Sequence, residues 1–252
     1  MLTPISFKSI KAAQIHHPTS RLWRNCLSIK SQFCEAVVSA GYLSWEQMIS
    51  ATCHYRLGCT RQGGVIFWQI DQEERVRDGK VMYYGPSCHR LKDKQHHPTW
   101  VSALLRRRDT FPSSPHETSH CFFGLHLISH SSLHHAPSAK SVAIVEAEKS
   151  AVILSELYPQ HIWLAAGGLG EVQPDKFRPL RGYKVAMFPD TDPEGIAFRR
   201  WSEAAATVMQ QPFWEDSPPI RVSALLEQHA TPGQKSRKID LVDFLFYKDD
   251  LF

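Results

Sequence analysis

The 252-residue sequence predicts an α/β protein in two parts: an α+β half rich in basic residues, then a parallel sheet with helices on both faces. Three observations carry this. From Val142 onward, short apolar runs alternate with amphipathic stretches, the pattern of strands joined by helical crossovers. Between Val65 and Tyr84, two aromatic-rich runs lie close together with turn residues between them, as antiparallel strands require. The segment Ser131-Ser-Leu-His-His-Ala-Pro-Ser-Ala-Lys140 separates these textures and has the composition of a linker. The predicted organisation is a polar stretch over 1–20 without fixed structure, a smaller basic domain of helices and antiparallel strands over 21–130, a linker over 131–140, and the parallel-sheet domain over 141–252.

In the first part, Leu22, Cys26, Ile29, Phe33 and Val37 draw one apolar stripe along a helix that ends near Gly41. Ser44-Trp-Glu-Gln47 has the capping-box pattern and starts a second helix. Val65-Ile-Phe-Trp-Gln-Ile70 is a strand, and Asp78-Gly79 is the expected tight turn before Lys80-Val-Met-Tyr-Tyr84. Arg106-Arg107-Arg108 closes a short helix, and Pro112-Ser-Ser-Pro115 marks a loop before Cys121-Phe-Phe-Gly-Leu-His-Leu-Ile128. In the second part the expected order is strand 142–145, helix 149–158, strand 162–166, strand 184–188, helix 194–209, strand 220–225 and helix 241–245.

Hydrophobic residues make up 42% of the chain and charged residues 21%, enough apolar content for a buried core. No run approaches the roughly 20 apolar residues that span a bilayer. Met1-Leu-Thr-Pro-Ile-Ser-Phe-Lys8 lacks the pattern of a signal peptide, so a cytoplasmic location without membrane partners is expected. The six cysteines have neither CxxC nor even spacing and are expected to be reduced packing residues. Nine of the fourteen histidines fall between His89 and His135, but Cys88, His89, His120 and Cys121 fit no zinc motif and no zinc is expected.

The net charge of +4 is unevenly spread. Residues 75–108 carry nine basic residues (Arg75, Arg77, Lys80, Arg90, Lys92, Lys94, Arg106, Arg107, Arg108) against Asp78 and Asp93. Such an excess attracts a nucleic-acid backbone, although a solvated basic surface gives the same count. Trp68, Tyr83, Tyr84 and Trp100 either stack on bases or fill the core, and their alternation favours the core.

Glu146 ends the apolar run Val142-Ala-Ile-Val-Glu146, and a second run, Val185-Ala-Met-Phe-Pro189, ends in Asp190-Thr-Asp192-Pro-Glu-Gly195. The carboxyl ends of neighbouring parallel strands converge on one crevice, where such carboxylates can meet around a divalent metal ion. Mg²⁺ suits oxygen ligands shared with substrate phosphates. Glu146 would act as a general base or acid toward a sugar hydroxyl, or as a further ligand. Gly195 lets the backbone pass close to a ligand, and Gly167-Gly168-Leu-Gly170 is a phosphate cradle or a tight turn. The alternative for Asp190-Thr-Asp192 is a turn and helix cap, with Pro193 in the helix's first turn.

The segments Val145-Glu146-Ala-Glu-Lys-Ser-Ala151, Ala165-Ala-Gly-Gly-Leu-Gly170 and Asp190-Thr-Asp192-Pro-Glu-Gly195 resemble the TOPRIM domain of bacterial primases, type IA and II topoisomerases and some nucleases. The resemblance spans most of 141–252 and implies a Rossmann-like parallel sheet with Glu146, Asp190 and Asp192 as the catalytic metal site. Lys238-Ile-Asp240-Leu-Val-Asp243 is similar to an acidic segment of the primases, which adds Asp240 and Asp243 as metal ligands. Tyr55-Arg-Leu-Gly58, Phe67-Trp-Gln-Ile-Asp71 and Phe122-Phe-Gly-Leu-His126 resemble, in order, the basic N-terminal subdomain of the primase core. The whole is most similar to uncharacterised primase-like proteins (DUF6371, Toprim-like) of Bacteroides-type mobile elements.

What the resemblance implies is a Mg²⁺- or Mn²⁺-dependent nucleotidyltransferase. It would make primers on single-stranded DNA from nucleoside triphosphates during mobile-element or plasmid replication. Lys149, Gly168, Gly170 and Gly195 would face nucleotide phosphates. A TOPRIM nuclease and a non-catalytic, nucleic-acid-binding replication accessory protein are the alternatives. Three departures from the primase pattern stand out. No Cys/His array supplies a zinc-binding module, so a zinc-binding partner would read the template. Ser150, preceded by Lys149, stands where primases often carry an acidic residue. Nothing matches GxxxxGK[ST], so a replicative helicase would be a separate partner.

Overall fold

A computed structural model describes residues 28–93, 95–106, 120–128 and 141–246. The chain divides into two compact units, Met1–Leu127 and Ile128–Phe252. The expectations for 1–20, for Leu22 and Cys26, for the loop at 112–115 and for the linker at 131–140 lie outside the described residues.

The first unit begins with α1 (Gln32–Ser39) and α2 (Trp45–Tyr55). α1 starts later than the apolar stripe implies. Ser31 is extended and its hydroxyl accepts from the Cys34 N–H at 3.3 Å, which makes it the N-cap and leaves Ile29 exposed in the preceding turn. Phe33 and Val37 of the stripe are buried, and Gly41, at φ +76°, ends the helix as expected. The predicted capping box of α2 is present: Gln47 N–H donates to Ser44 Oγ at 3.2 Å, and Ser44 N–H to Gln47 Oε1 at 2.9 Å.

Strands β1 (Gly58–Cys59), β2 (Val65–Ile70), β3 (Val76–Met82) and β4 (Thr99–Trp100) form an antiparallel sheet in sequence order, followed by α3 (Val101–Arg106). β2 is buried along its whole length because both faces are covered. On one face Phe67 meets Phe33 of α1 at 5.3 Å and Phe123 at 5.4 Å, and Phe123 stacks on Tyr55 of α2 at 5.0 Å. On the other, Ile66, Trp68 and Ile70 pack with Val76, Val81, Val101 and Leu105. Trp68 and Tyr84 are therefore core residues, while Tyr83 and Trp100 are half-buried.

The expected turn at Asp78-Gly79 is a misassignment, since both residues lie inside β3. The hairpin turns at 71–75 instead. There Asp71 Oδ1 accepts from the N–H groups of Glu73 and Arg75 at 3.0 and 2.9 Å, and Glu74 takes a φ of +64°. Arg56, at the end of α2, forms a forked ion pair with Glu74 of this turn. Gly79 lies opposite Trp68, and a Cβ there would stand 2.7 Å from the indole ring. The glycine makes room for a tryptophan rather than for a bend. Asp78 turns inward and accepts from Ser102 N–H and Oγ at 3.1 and 2.6 Å, which fixes the first turn of α3. Cys34, Cys88 and Cys121 are packing residues as expected, whereas Cys53 is exposed and Cys59 half-buried.

The second unit contains β5 (Ser141–Val145), α4 (Glu148–Leu157), β6 (His161–Ala165), a 3₁₀ helix (Pro174–Leu180), β7 (Val185–Phe188) and α5 (Ile196–Met209). It closes with a 3₁₀ turn (Pro212–Trp214), β8 (Arg221–Val222), α6 (Leu225–His229), α7 (Pro232–Arg237) and α8 (Leu241–Phe246). The four strands are parallel, in the order β6-β5-β7-β8. The strand expected over 220–225 pairs only at Arg221 and Val222, because Ser223 Oγ accepts the Leu225 N–H at 3.3 Å and starts α6. The first strand is central: the chain places β6 on one side of it and β7 on the other. That reversal is the topological switch point of an open α/β sheet, whose crevice lies outside the carboxyl strand ends. Among the described residues no helix is long and apolar enough to cross a membrane.

Replacing Gly79 with alanine should destabilise the first unit by about 1–3 kcal/mol through overpacking against Trp68. Gly170→Ala, where nothing lies within 4 Å of the added methyl, should stay within about 0.5 kcal/mol of wild type. Urea denaturation of both variants checks this pair; equal midpoints would show that the indole yields.

Candidate active site at the switch point of the parallel sheet

Strand pairing sets the site. β5 and β7 run parallel with Val145 opposite Phe188, so Glu146 just beyond one strand and Asp190 just beyond the other emerge side by side. On the far side of β5 the pairing with β6 continues past the strand end. Ala166 N–H donates to Val145 O and Gly167 N–H to Glu146 O, both at 2.9 Å, which fixes the backbone at Glu146. Gly167 and Gly168, at φ +92° and +156°, then turn the chain away. A third segment joins when Thr191 N–H donates to Ile239 O at 3.1 Å, bringing Asp240 and Asp243 into the electrostatic neighbourhood of Asp190.

The result is a crowd of carboxylates. Burial raises the Asp190 pKa well above the usual carboxylate range. The charges of Glu146, Asp240 and Asp243 push in the same direction, while Lys149 opposes them.

Asp192, one residue further, has the opposite character. Burial disfavours its charge, but Oδ1 accepts from Glu194 and Ile196 N–H at 3.1 and 2.9 Å, and Oδ2 from Ala197 N–H at 2.8 Å. With Lys238 adding to them, these donors win and the pKa is lowered. Gly195, the N-cap of α5 at φ +64°, has no side chain to cap with, so Asp192 does that work. The structure thus shows the helix-cap alternative at Asp192 and the crowded carboxylate at Asp190.

Asp240 and Asp243 are bound into a third arrangement. Asp240 Oδ1 accepts from Asp243 N–H at 2.7 Å, and Oδ2 accepts from Ser150 Oγ at 2.7 Å and lies 3.1 Å from Lys149 Nζ. Asp243 Oδ1 is 3.2 Å from the same ammonium. Lys149, expected at a nucleotide phosphate, therefore presents its amine to two carboxylates. Ser150, which marked a departure from the primase pattern, is the hydroxyl that holds Asp240.

An all-oxygen donor set with surplus negative charge has the chemistry that Mg²⁺ or Mn²⁺ prefers. As the side chains stand, no group of three Asp, Glu, His or Cys residues among those described is spaced to hold an ion, so shared ligation requires side-chain rotation. The same holds for Cys88, His89, His120 and Cys121. Gly168 and Gly170 lie in the loop after β6, where an added Cβ would meet ordinary contact at Gly168 and nothing within 4 Å at Gly170.

Acidic neighbours reduce the basic excess of the first unit. Arg75 pairs with Asp71 and Glu73 at 2.8 Å, and Arg77 lies 3.7 Å from Asp71. Arg90 and Lys92 are exposed and Lys80 is half-buried. Lys94, Arg107, Arg108 and the side chain of Arg106 lie outside the described residues.

The family described as a domain of unknown function, DUF6371, matches residues 31–191. The chain belongs to this family. The DUF6371 match contains Glu146, Lys149, Ser150 and Asp190, and ends one residue before Asp192. No curated protein matches the chain. Among solved structures, it is similar to the primase fragment of the bacteriophage T7 primase-helicase, at 14% identity over 72% of this chain and 67% of that one, with a TM-score of 0.41. It is also similar to the zinc-binding and RNA polymerase domains of the Aquifex aeolicus primase, at 14% identity over 81% of this chain and 54% of that one, with a TM-score of 0.49.

The two aspartates of the DUF6371 chain should respond oppositely to substitution. A lowered folded pKa contributes stability above the unfolded carboxylate value of about 4, lost as pH falls through the folded value. Asp192→Asn should therefore cost about 1–2 kcal/mol at neutral pH, and less below pH 3, through a weakened cap. A raised folded pKa makes ionisation costly as pH rises above about 4, so Asp190→Asn should stabilise the chain at neutral pH by on the order of 1 kcal/mol. Melting temperatures at pH 3 and pH 7 in chelator check both signs.

Proposed function

We propose that the chain is a primase-like, Mg²⁺-dependent nucleotidyltransferase that extends primers on single-stranded DNA in the replication of a mobile element or plasmid. The observation that carries this reading is the crowding of Asp190 by Glu146, Asp240 and Asp243 at the switch point of a parallel sheet. A carboxylate raised in pKa by burial, and further by like charges, is costly to maintain ionised, and perturbed groups of this kind concentrate at functional sites. The TOPRIM-like segments around Glu146 and Asp190 support the same reading, as does the order of the primase-like segments in the first unit.

Glu146 and Asp190 would hold a divalent cation, which supplies charge neutralisation on the phosphate oxygens when bound. The reaction joins a primer 3′-hydroxyl oxygen to the α-phosphorus of an incoming nucleoside triphosphate and breaks the bond to the β-phosphate bridging oxygen. The hydroxyl proton leaves to a base and pyrophosphate departs. Glu146, whose backbone is fixed at the strand end, would orient the hydroxyl or accept its proton. Asp192 keeps the turn after Asp190 in place by holding the first turn of α5. Gly168 and Gly170 would leave backbone open to a triphosphate, whereas at Gly195 the Glu227 carboxylate lies 3.4 Å from where a Cβ would stand. Exposed Arg90 and Lys92, together with Arg75, Arg77 and Lys80, would meet the template backbone. A replicative helicase or a zinc-binding protein would be its partner.

One observation favours a second reading, a non-catalytic DNA-binding accessory protein: Asp192, Asp240 and Asp243 are all engaged in caps or with Lys149. Incorporation of labelled ribonucleotides on single-stranded DNA decides between them. Glu146→Gln and Asp190→Asn, which preserve side-chain shape, should each reduce Mg²⁺-dependent synthesis by about 100-fold or more. Undiminished synthesis by both variants would sink the assignment. Nicking of supercoiled DNA that the same substitutions abolish would make the chain a nuclease, and salt-sensitive DNA binding with neither activity would make it the accessory protein.

A further inference from the structure

We infer that Lys149 is a built-in counter-cation that occupies one cation position of the acidic crevice, so that the site takes up a single divalent ion, at Glu146 and Asp190. This rests on the reading of the crevice as a divalent-metal site.

The ammonium lies 3.1 Å from Asp240 Oδ2 and 3.2 Å from Asp243 Oδ1, and the lysine side chain is only 8% exposed. An amine so placed bridges two carboxylates in the way a shared divalent ion would, at the longer distance of a hydrogen bond. It is also firmly held. Removing one member of a buried ion pair leaves an uncompensated charge, typically at a cost of several kcal/mol. Two ions bridging Asp240 and Asp243 as well as Glu146 and Asp190 would have to displace the lysine or stand beside it.

Charge counting agrees. Four carboxylates and one ammonium carry three negative charges when fully ionised. One divalent ion leaves a single negative charge, whereas two ions beside a retained lysine leave an excess of positive charge. The remaining oxygens of this pair are also committed: Asp240 Oδ1 caps Asp243 N–H, and Ser150 donates to Oδ2. Glu146 and Asp190 stand at the ends of the paired strands β5 and β7, and the divalent ion is assigned to them.

Lys149 thereby acts as a positioning residue and sets metal stoichiometry. A phosphate-binding role would require the amine to abandon two buried carboxylates for an anion.

Mn²⁺ titration of the full chain, followed by electron paramagnetic resonance, tests this with the ion alone as probe. Wild type and Lys149→Arg should bind one Mn²⁺ per chain, and Lys149→Met should bind two. Two ions in wild type, or one in a folded Lys149→Met, would overturn the inference while leaving the metal reading intact. If neither protein binds Mn²⁺, the metal reading itself falls. Should Lys149→Met not fold without ions, circular dichroism should show it folding on addition of Mn²⁺. A variant that stays unfolded in Mn²⁺ counts against the lysine standing in for an ion.

Discussion

The parallel pairing of β5 with β7 is the constraint on which the candidate site depends. Val142, Ala143, Ile144 and Val145 are buried on one strand and Val185 and Met187 on the other. β7 alternates buried Val185 and Met187 with half-buried Ala186 and Phe188, so a slip of one residue there would exchange its faces, and burial fixes the register. Each fully buried side chain of this size contributes about 1.5–3 kcal/mol, and together they outweigh the cost of pressing two carboxylates together at the strand ends. Glu146 and Asp190 do not meet because they attract. The core brings them together against their mutual repulsion, and burial first, with that repulsion added, makes Asp190 hold its proton more tightly than an ordinary carboxylate.

Much of this half was legible in the sequence because a parallel sheet writes itself as apolar runs separated by helical periods, and its strand ends follow directly. Glu146 and Asp190 were found this way. Asp192 shows where legibility stops. An aspartate just beyond a strand and before a helix suits a metal and a cap equally well, and the cap shows only in the approach of three N–H groups. Asp240 and Asp243 were located by resemblance, but the lysine between them comes from a helix about ninety residues earlier, a contact no local pattern encodes.

In the antiparallel half, local signals mislead because the cross-strand partners decide what each residue does. Asp-Gly is a strong turn signal, yet Gly79 is small because Trp68 lies across from it, and Asp78 is acidic because Ser102 needs an acceptor. The apolar spacing runs smoothly from Ile29 into Phe33, and only the capping geometry of Ser31 shows that this helix begins after Ile29. The basic count over 75–108 began just after Asp71, Glu73 and Glu74. The hairpin turn folds those acids back onto Arg75, Arg77 and Arg56, so much of the charge is spent within the fold.

The crevice therefore has two physically distinct sides. Asp192, Asp240 and Asp243 have donors for most of their oxygens, and Lys149 and Ser150 lock two of them to the first turn of α4. Such groups hold geometry, because moving any of them exposes a buried charge. Asp190 lies on the other side, where repulsion from its neighbours exceeds the relief that Lys149 supplies. On the proposed reading, a rigid, neutralised wall next to one under-neutralised carboxylate would let an ion bind through rotation of side chains rather than refolding of the chain.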